Sequence, residues 1–289
     1  MAHTRTRALL LTPLLLAAVA CAPVDEEPSA QGSASPSARS CATDQLALRE
    51  PGTLTIGTDS PAYEPWFVDD DPTNGKGFES AVAYAVAEEL GFTEDQVTWV
   101  TVPFNKSYAP GAKNFDFDIN QISITPQRAQ VVDFSEGYYS ASQAVIALQD
   151  GEVAGATSLE ELKDKKLGAQ TGTTSLTAIT DVIQPEQQPL VFDDTNAAKQ
   201  ALLNGQVDAI LADLPTAFYI TAVEIPQGTI VGQFQPETGE TEEFGLLFEK
   251  GSELVPCVDQ AIARLKESGE LDRIEQEWLS DVVDVPTLD

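Results

Sequence analysis

Residues 53–102 carry the three segments that decide the fold: TLTIGT at 53–58, GFESAVAYAVAEELG at 77–91 and VTWVTV at 97–102. The first and third segments are rich in β-branched residues, which favours strands. The middle segment repeats apolar residues at helical spacing and ends in a glycine stop; they are Phe78, Ala81, Val82, Ala85 and Leu90. A strand, an amphipathic helix and a second strand predict an α/β protein.

The same alternation continues along the chain. A predicted strand at 166–170 leads into a loop and a helix, and a helix at 195–204 precedes a buried strand at 207–212. A last helical region begins at Pro256, a residue that suits the first helical position, and continues to Trp278. We therefore expect the folded part to run from about residue 41 to 289, which is enough for two modest domains.

The N-terminus has the pattern of an export signal. Arg5 and Arg7 precede an apolar run at 8–20, which is too short to span a bilayer because spanning takes about 20 apolar residues. The run ends in small residues before Cys21, as in a bacterial lipobox. We predict a signal peptide at 1–20 and an acylated Cys21 that anchors the protein to the outer face of the cell membrane; an ordinary cleavage site is the alternative. Residues 21–40 are rich in Pro, Ser and Ala and predict a flexible tether.

Cysteine and histidine usage narrows the chemistry. Export implies an oxidising compartment, so Cys41 and Cys257 are expected to form a disulfide, with two buried thiols as the alternative. The single histidine, His3, lies inside the predicted signal. A mature chain without histidine cannot use Ser-His-Asp or Cys-His catalysis or a His-ligated metal. We predict no catalytic residue, no metal and no cofactor.

The chain is strongly acidic, with a formal charge of −30 at pH 7. Such a surface is a poor partner for nucleic acid. We expect a monomer that contacts the membrane through its lipid anchor.

Polar residues follow two predicted strands of the first half, where open α/β sheets bind their ligands. The first group is Asp59, Tyr63 and Trp66, which could form a wall for a cation or a stacked ligand; a surface acid beside core aromatics is the alternative. The second group lies in NQISITPQR at 120–128 and comprises Asn120, Gln121, Ser123 and Arg128. The Arg128 guanidinium could grip a carboxylate, or it could form an ordinary surface ion pair.

Two further groups follow strands of the second half. In QTGTTS at 170–175, free N–H groups at a helix start suit an anion; the candidates are Gln170, Thr173, Thr174 and Ser175, and a hydroxyl-capped helix is the alternative. Asp213 ends a buried strand and suits an ammonium group, although it could equally be the N-cap of the next helix. Together these groups suggest an amino-acid clamp, because a paired charge can be desolvated at acceptable cost.

The order and spacing of these segments resemble the family 3 extracellular solute-binding proteins of polar amino-acid ABC importers. The resemblance covers about residues 51–279. It is carried by five motifs: TLTIGTD at 53–59, GFESAVAYAVAEELG at 77–91, FDFDINQISITPQRAQVVDFSEGYY at 115–139, LGAQTGTTS at 167–175 and GQVDAILAD at 205–213.

The resemblance implies a two-lobe type II periplasmic-binding-protein fold with two crossing hinge strands, near 140–145 and 237–244. Lobe 1 would comprise 41–141 and 243–289, and lobe 2 would comprise 142–242. The resemblance also implies a role for each group of candidates. Arg128 with Ser123 and Thr174 would hold the ligand carboxylate, Asp213 would hold the α-amino group, and Asn120 and Gln121 would lie near that amino group, with Tyr63 and Trp66 lining the pocket.

The loop at 104–114 (FNKSYAPGAKN) departs from the aromatic-Gly-hydrophobic stretch usual in the family and can face the pocket. The predicted function is extracytoplasmic binding of a polar or basic amino acid and its delivery to the permease and ATPase subunits of an ABC importer. The alternatives are a dehydratase-like enzyme on the same fold and a ligand sensor. The absence of histidine and of an added catalytic or signalling domain argues against both.

Overall fold

Two mixed β-sheets with helices on their faces make up the described part of the chain. The computed structural model describes residues 41–235, 242–279 and 285–289. In chain order its strands are β1 (Leu54–Thr58), β2 (Val97–Thr101), β3 (Phe117–Asp118), β4 (Val132–Ser140), β5 (Gln143–Leu148), β6 (Leu167–Gln170), β7 (Leu190–Phe192), β8 (Ala209–Asp213), β9 (Gly228–Phe234) and β10 (Glu243–Glu249). The predicted signal peptide, acylated Cys21 and tether lie outside the described residues.

The helices alternate with these strands, as the sequence predicts. They are α1 (Phe78–Glu89), α2 (Phe104–Ser107), α3 (Thr174–Thr177), α4 (Thr195–Leu203), α5 (Leu214–Tyr219), α6 (Val255–Ser268) and α7 (Glu270–Trp278). α3 and α5 each continue into a π-helical turn, at Ala178–Ile183 and Ile220–Glu224. Within the described ranges, no helix combines the length and the apolar character needed to cross a bilayer.

In the described residues each sheet contains five strands, and the chain crosses from one sheet to the other after β4 and after β9, before its last residues return to the second sheet. The first sheet has the order β2-β1-β3-β10-β4 and the second β7-β6-β8-β5-β9. β10 and β5 run antiparallel to both of their neighbours. The passages join β4 to β5 and β9 to β10, and residues 236–241 of the second passage lie outside the described residues. This confirms the two-lobe fold; we call the part built on the first sheet lobe 1 and the part built on the second lobe 2.

Lobe 1 is built around an aromatic core. α1, α6 and α7 cover one face of the first sheet, where the ring of Trp66 meets Phe78 and Phe244 edge to face at centroid distances of 5.9 and 5.7 Å. Edge-to-face pairs add to the stabilisation that burial alone provides. Cys41 is bonded to Cys257 of α6, which confirms the predicted disulfide and fixes the start of the described chain to lobe 1.

The last residues of the chain contact lobe 2, whereas the predicted boundaries placed 243–289 in lobe 1. Thr287 pairs with Gln233 of β9, and Leu288 is buried in the lobe 2 core. The neighbouring Gly232 explains the fit, because a β-carbon there would collide with the Leu288 side chain. Leu288 is thus buried against the second sheet, a long-range contact that local sequence patterns do not predict.

Candidate functional site

A cavity between the two lobes gathers most of the predicted site residues at the ends of β1, β3, β6 and β8. Ten of the twelve candidates line it: Asp59, Tyr63, Asn120, Gln121, Ser123, Gln170, Thr173, Thr174, Ser175 and Asp213. Five further lining residues were not predicted as site residues: Phe104, Thr195, Leu211, Ala212 and Thr216. Phe104 begins the 104–114 segment that was expected to face the pocket. Trp66 and Arg128 are not among the lining residues.

Trp66 belongs to the core of lobe 1 rather than to the cavity wall. Its side chain is fully buried, and its ring packs against aromatic neighbours on three sides. Only its indole nitrogen reaches outward, where Nε1 donates to Thr216 Oγ1 of lobe 2 at 2.8 Å. Trp66 therefore links the lobes but offers no surface to a ligand in this structure.

Arg128 lies behind the cavity and joins the lobes. Its side chain is 8% exposed. Nη1 donates to the Ser123 carbonyl at 2.8 Å, and Nη2 donates to the Gly172 carbonyl of lobe 2 at 2.9 Å. The guanidinium also lies 4.7 Å from the ring centroid of Tyr108, a cation–π distance. Burial lowers the pKa of Arg128, and the nearby Tyr108, Glu242 and Asp213 oppose that shift.

Two carboxyl groups meet at one end of the cavity. Gln143 Nε2 donates to Asp213 Oδ1 at 2.9 Å and to Glu242 Oε2 at 3.0 Å. Removal from water raises the pKa of Asp213 well above its ordinary value, and the charge of Glu242 raises it further. The positive charge of Arg128 opposes this rise in the pKa of Asp213. A further positive group beside Asp213 would lower that pKa again, so this end of the cavity suits an ammonium group.

The hydroxyl groups of Ser123 and Thr174 bring the lobes together at the same end. Ser123 Oγ lies 3.3 Å from Thr174 Oγ1, and it donates to Glu242 Oε1 at 2.5 Å. Gln143 and Glu242 were not among the predicted residues. Gln143 begins β5 and Glu242 immediately precedes β10, so the closeness of these two residues to Asp213 depends on how the passages between the sheets meet.

A buried network holds Gln121 in an unusual backbone conformation. Its φ of 47° is left-handed, and its backbone N–H donates to Glu79 Oε1 at 2.6 Å. The side chains of Gln121 and Tyr138 donate to the same carboxyl group. Burial raises the pKa of Glu79 to about 7, and these three donors oppose the shift. Local sequence patterns show only an acid in the first turn of an amphipathic helix and do not predict this role.

The cavity wall contains an unpaired polar atom. The Asn120 amide nitrogen is buried with no hydrogen-bond partner among the described residues. Unpaired buried polar groups are costly, and a polar ligand would satisfy them.

Asp59 holds the start of the 104–114 segment against the cavity. Its Oδ2 accepts a hydrogen bond from the Phe104 backbone N–H at 3.0 Å.

The donor set is suited to a small polar organic molecule. Within the described ranges, no cluster of His, Cys, Asp or Glu side chains could hold a metal ion. The cavity has carboxyl groups at one end and hydroxyl and amide groups along its walls, with a buried guanidinium behind Ser123 and Gly172. These groups match a ligand that carries one positive and one negative charge.

Comparisons with known proteins agree with this site. Residues 54–281 match the model for "Bacterial extracellular solute-binding proteins, family 3". The arginine-binding extracellular protein ArtP of Bacillus subtilis (strain 168) is 27% identical over 235 residues, covering 78% of this chain and 86% of that one. The L-cystine-binding protein TcyJ of Escherichia coli (strain K12) is 28% identical over 234 residues, covering 80% and 84%. The crystal structure of AncCDT-1, an ancestral amino acid-binding protein described as a precursor of cyclohexadienyl dehydratase, has a TM-score of 0.66 at 30% identity, covering 79% of this chain and 96% of that one.

Proposed function

This chain belongs to the bacterial extracellular solute-binding proteins, family 3, and we therefore propose that it captures a polar or basic amino acid between its lobes and delivers it to an ABC-type importer. The observation that carries the proposal is that Asp213 and the hydroxyl groups of Ser123 and Thr174 line one interlobe cavity, where Gln143 Nε2 donates both to Asp213 Oδ1 at 2.9 Å and to Thr174 Oγ1 at 3.4 Å. An α-ammonium and an α-carboxylate need opposite partners within a few ångströms, and this end of the cavity supplies them.

Each group of the ligand has a proposed partner. Asp213 holds the α-ammonium group, while Ser123 Oγ and Thr174 Oγ1 donate to the α-carboxylate. Arg128 stabilises that carboxylate from behind through its charge, since its guanidinium is fixed by backbone carbonyls of both lobes. A charge that is paired and hydrogen-bonded can be removed from water, whereas an unpaired one cannot.

The rest of the cavity would select the ligand side chain. Asp59 offers a carboxylate, whereas Tyr63, Asn120, Gln121 and Gln170 offer neutral hydrogen-bonding groups. These groups suit a polar or a basic side chain, and the unpaired amide nitrogen of Asn120 would find a partner on it. Relatives named for arginine and for cystine cover this range of chemistry.

We propose binding without chemical turnover. The relatives named above are binding proteins, and AncCDT-1 is itself described as an ancestral amino acid-binding protein as well as a precursor of a dehydratase. The competing proposal is a dehydratase-like enzyme on this fold. Mass spectrometry of a bound amino acid before and after incubation with the protein separates the two, because an enzyme would change the mass of its ligand.

We propose further that the protein acts at the outer face of the membrane, tethered through an acylated Cys21, as a monomer. Family membership supports an extracytoplasmic location. Metabolic labelling with a fatty acid tests the anchor, since labelling should be lost in Cys21→Ser.

Residues 41–141 and 243–279 are the proposed lobe 1, and 142–242 are the proposed lobe 2, with the C-terminal residues 285–289 docked on lobe 2.

Thermal unfolding against the standard amino acids, ornithine, citrulline and cystine tests the function. A ligand present at about a hundred times its dissociation constant should stabilise the protein by about 2.7 kcal/mol. Asp213→Asn should weaken binding of that ligand about 100-fold, because truncating one partner of a buried charge pair costs about 2–5 kcal/mol. Asp193→Asn, an exposed acid outside the cavity, is the matched control. The proposal fails if no amino acid shifts the transition, or if the two variants bind equally well.

A further inference from the structure

Among the residues that the structure describes, Glu242 is an acid of the site that comes from a passage between the lobes rather than from the end of a strand in either sheet. It lies at the end of the second passage, immediately before β10. Its carboxyl group contacts lobe 1 through Ser123 Oγ at 2.5 Å and lobe 2 through Gln143 Nε2 at 3.0 Å. A single side chain thus bridges both lobes.

The position of this carboxyl group coincides with the proposed carboxylate subsite. We propose that Ser123 Oγ donates to the ligand carboxylate, and in this structure it donates to Glu242 Oε1. Thr174 Oγ1, the other proposed donor, lies 3.3 Å from Ser123 Oγ. The buried guanidinium of Arg128 interacts electrostatically with Glu242. The carboxylate of Glu242 therefore meets the groups that a free amino acid would need.

We infer that the Glu242 carboxylate is a built-in occupant of the anion subsite, which a ligand carboxylate must displace before it can bind. The inference rests on the proposed function, because it concerns the same subsite. It adds a residue that sets the apparent affinity and that holds the lobes together while the site is empty.

The energetic consequence follows from competition. When a protein side chain fills a subsite for most of the time, the apparent affinity for a ligand equals the intrinsic affinity multiplied by the fraction of molecules in which the subsite is free. Glu242 also lies close enough to Asp213 to raise the pKa of that group by like-charge repulsion. An incoming amino acid relieves the repulsion, since its ammonium pairs with Asp213 while its carboxylate replaces Glu242.

The test compares Glu242→Ala and Glu242→Gln with Glu243→Ala and Glu243→Gln. Glu243 is exposed and its carboxyl group lies over Gly137, outside the cavity. Both Glu242 variants should bind the cognate amino acid about tenfold more tightly than the wild type, whereas the Glu243 variants should not differ from it. The Gln variant guards against a packing defect, because it keeps the size of the side chain and removes its charge.

Acetate provides a second readout that does not depend on the identity of the ligand. Sodium acetate should raise the unfolding temperature of Glu242→Ala in a saturable manner, relative to sodium chloride, because it refills the emptied anion subsite. It should have no such effect on the wild type, whose subsite is already occupied.

The outcomes separate this inference from the proposed function. Weaker amino-acid binding by both Glu242 variants would overturn the inference, since it would mean that Glu242 contacts the ligand ammonium. An equal acetate effect on Glu242→Ala and Glu243→Ala would also overturn it. If acetate stabilises Glu242→Ala alone while no amino acid binds any form, the anion subsite stands and the proposed function fails.

Discussion

Glu79 lies fully buried in the first turn of α1, with three donors directed at its carboxyl group. Its neighbours Gln121 and Tyr138 connect it to the cavity wall and to the aromatic core. Burial raises the pKa of Glu79 from 4.5 to about 7 despite those donors. The folded state therefore prefers the protonated acid more strongly than the unfolded chain does.

This preference has a defined pH dependence. A raised pKa contributes stability that is fully present below about pH 4.5 and is lost as the pH rises through about 7. We expect the contribution of Glu79 to the free energy of unfolding to fall by about 2 kcal/mol between pH 5 and pH 8. Urea unfolding of Glu79→Gln should show a correspondingly smaller change over that range.

Glu88→Gln is the control for this measurement, because Glu88 lies on the same helix and is exposed. It should keep the pH dependence of the wild type. Identical pH profiles for Glu79→Gln and the wild type would contradict the assigned protonation. Asp118 and Asp213 also have raised pKa values, so some dependence should remain in every variant.

Single residues also show where sequence reasoning stops. Asp213 could be predicted because it ends an apolar run, and strands of an open sheet end at the ligand. Ser123 and Thr174 could be predicted from their places in recognisable loops. Glu242 could not, because its neighbours Ser123 and Gln143 are 119 and 99 residues away in sequence. Its role depends on where a passage between the lobes passes the cavity.

The loop before α1 has a tightly restricted backbone at Gly77. Gly77 has φ 94° and ψ 156°, a region that only glycine occupies readily. A β-carbon there would lie 2.5 Å from the Trp66 carbonyl oxygen and 2.6 Å from the Phe67 Cα. These are backbone atoms, so the clash cannot be relieved by turning a side chain.

Gly77→Ala should therefore destabilise the protein by about 3 kcal/mol, from backbone strain and overpacking together. Gly75→Ala is a matched control in the same loop, since Gly75 also has a positive φ of 69° but only a distant Tyr84 atom nearby. It should cost about 1 kcal/mol. Equal losses in denaturant unfolding would show that φ alone, and not the close approach to Trp66, decides the position.

At this scale the sequence pattern was informative but incomplete. The strand predicted at 53–58 is β1, and the helix predicted at 77–91 is α1, each within two residues at its ends. The helix follows from apolar periodicity and the strand from β-branched content, and both signals are local. The docking of Leu288 on lobe 2 was not predicted, because Leu288 packs against β9 and Gly232, which are distant from it in sequence. The segment at 104–114 was expected to be a loop and instead begins as α2.

For the molecule as a whole, Gly172 is one of the points where lobe 2 contacts lobe 1. Its carbonyl accepts from Arg128, and a β-carbon on it would collide with the side-chain oxygens of Asn105 and Tyr108. Gly172→Ala should leave each lobe folded but disfavour the arrangement in which the lobes touch. Ligand affinity, which depends on that arrangement, should fall about fivefold.

Gly205→Ala is the comparison for this change. Gly205 shares a positive φ, 67° against 74°, but has open space around its Cα. Small-angle scattering of ligand-free protein should report a larger radius of gyration for Gly172→Ala than for Gly205→Ala. The same radius and the same affinity for both variants would contradict a role for Gly172 in closure.

The bond between Cys41 and Cys257 encloses both passages between the lobes, and all of lobe 2 except its docked C-terminal residues, within one covalent ring. A protease that cuts any single peptide bond inside that ring, including those of 236–241, opens the ring without dividing the chain. The nicked protein would run as one piece on a non-reducing gel and as two fragments after reduction. An exported binding protein can thus survive a cut between its lobes with both halves still held together.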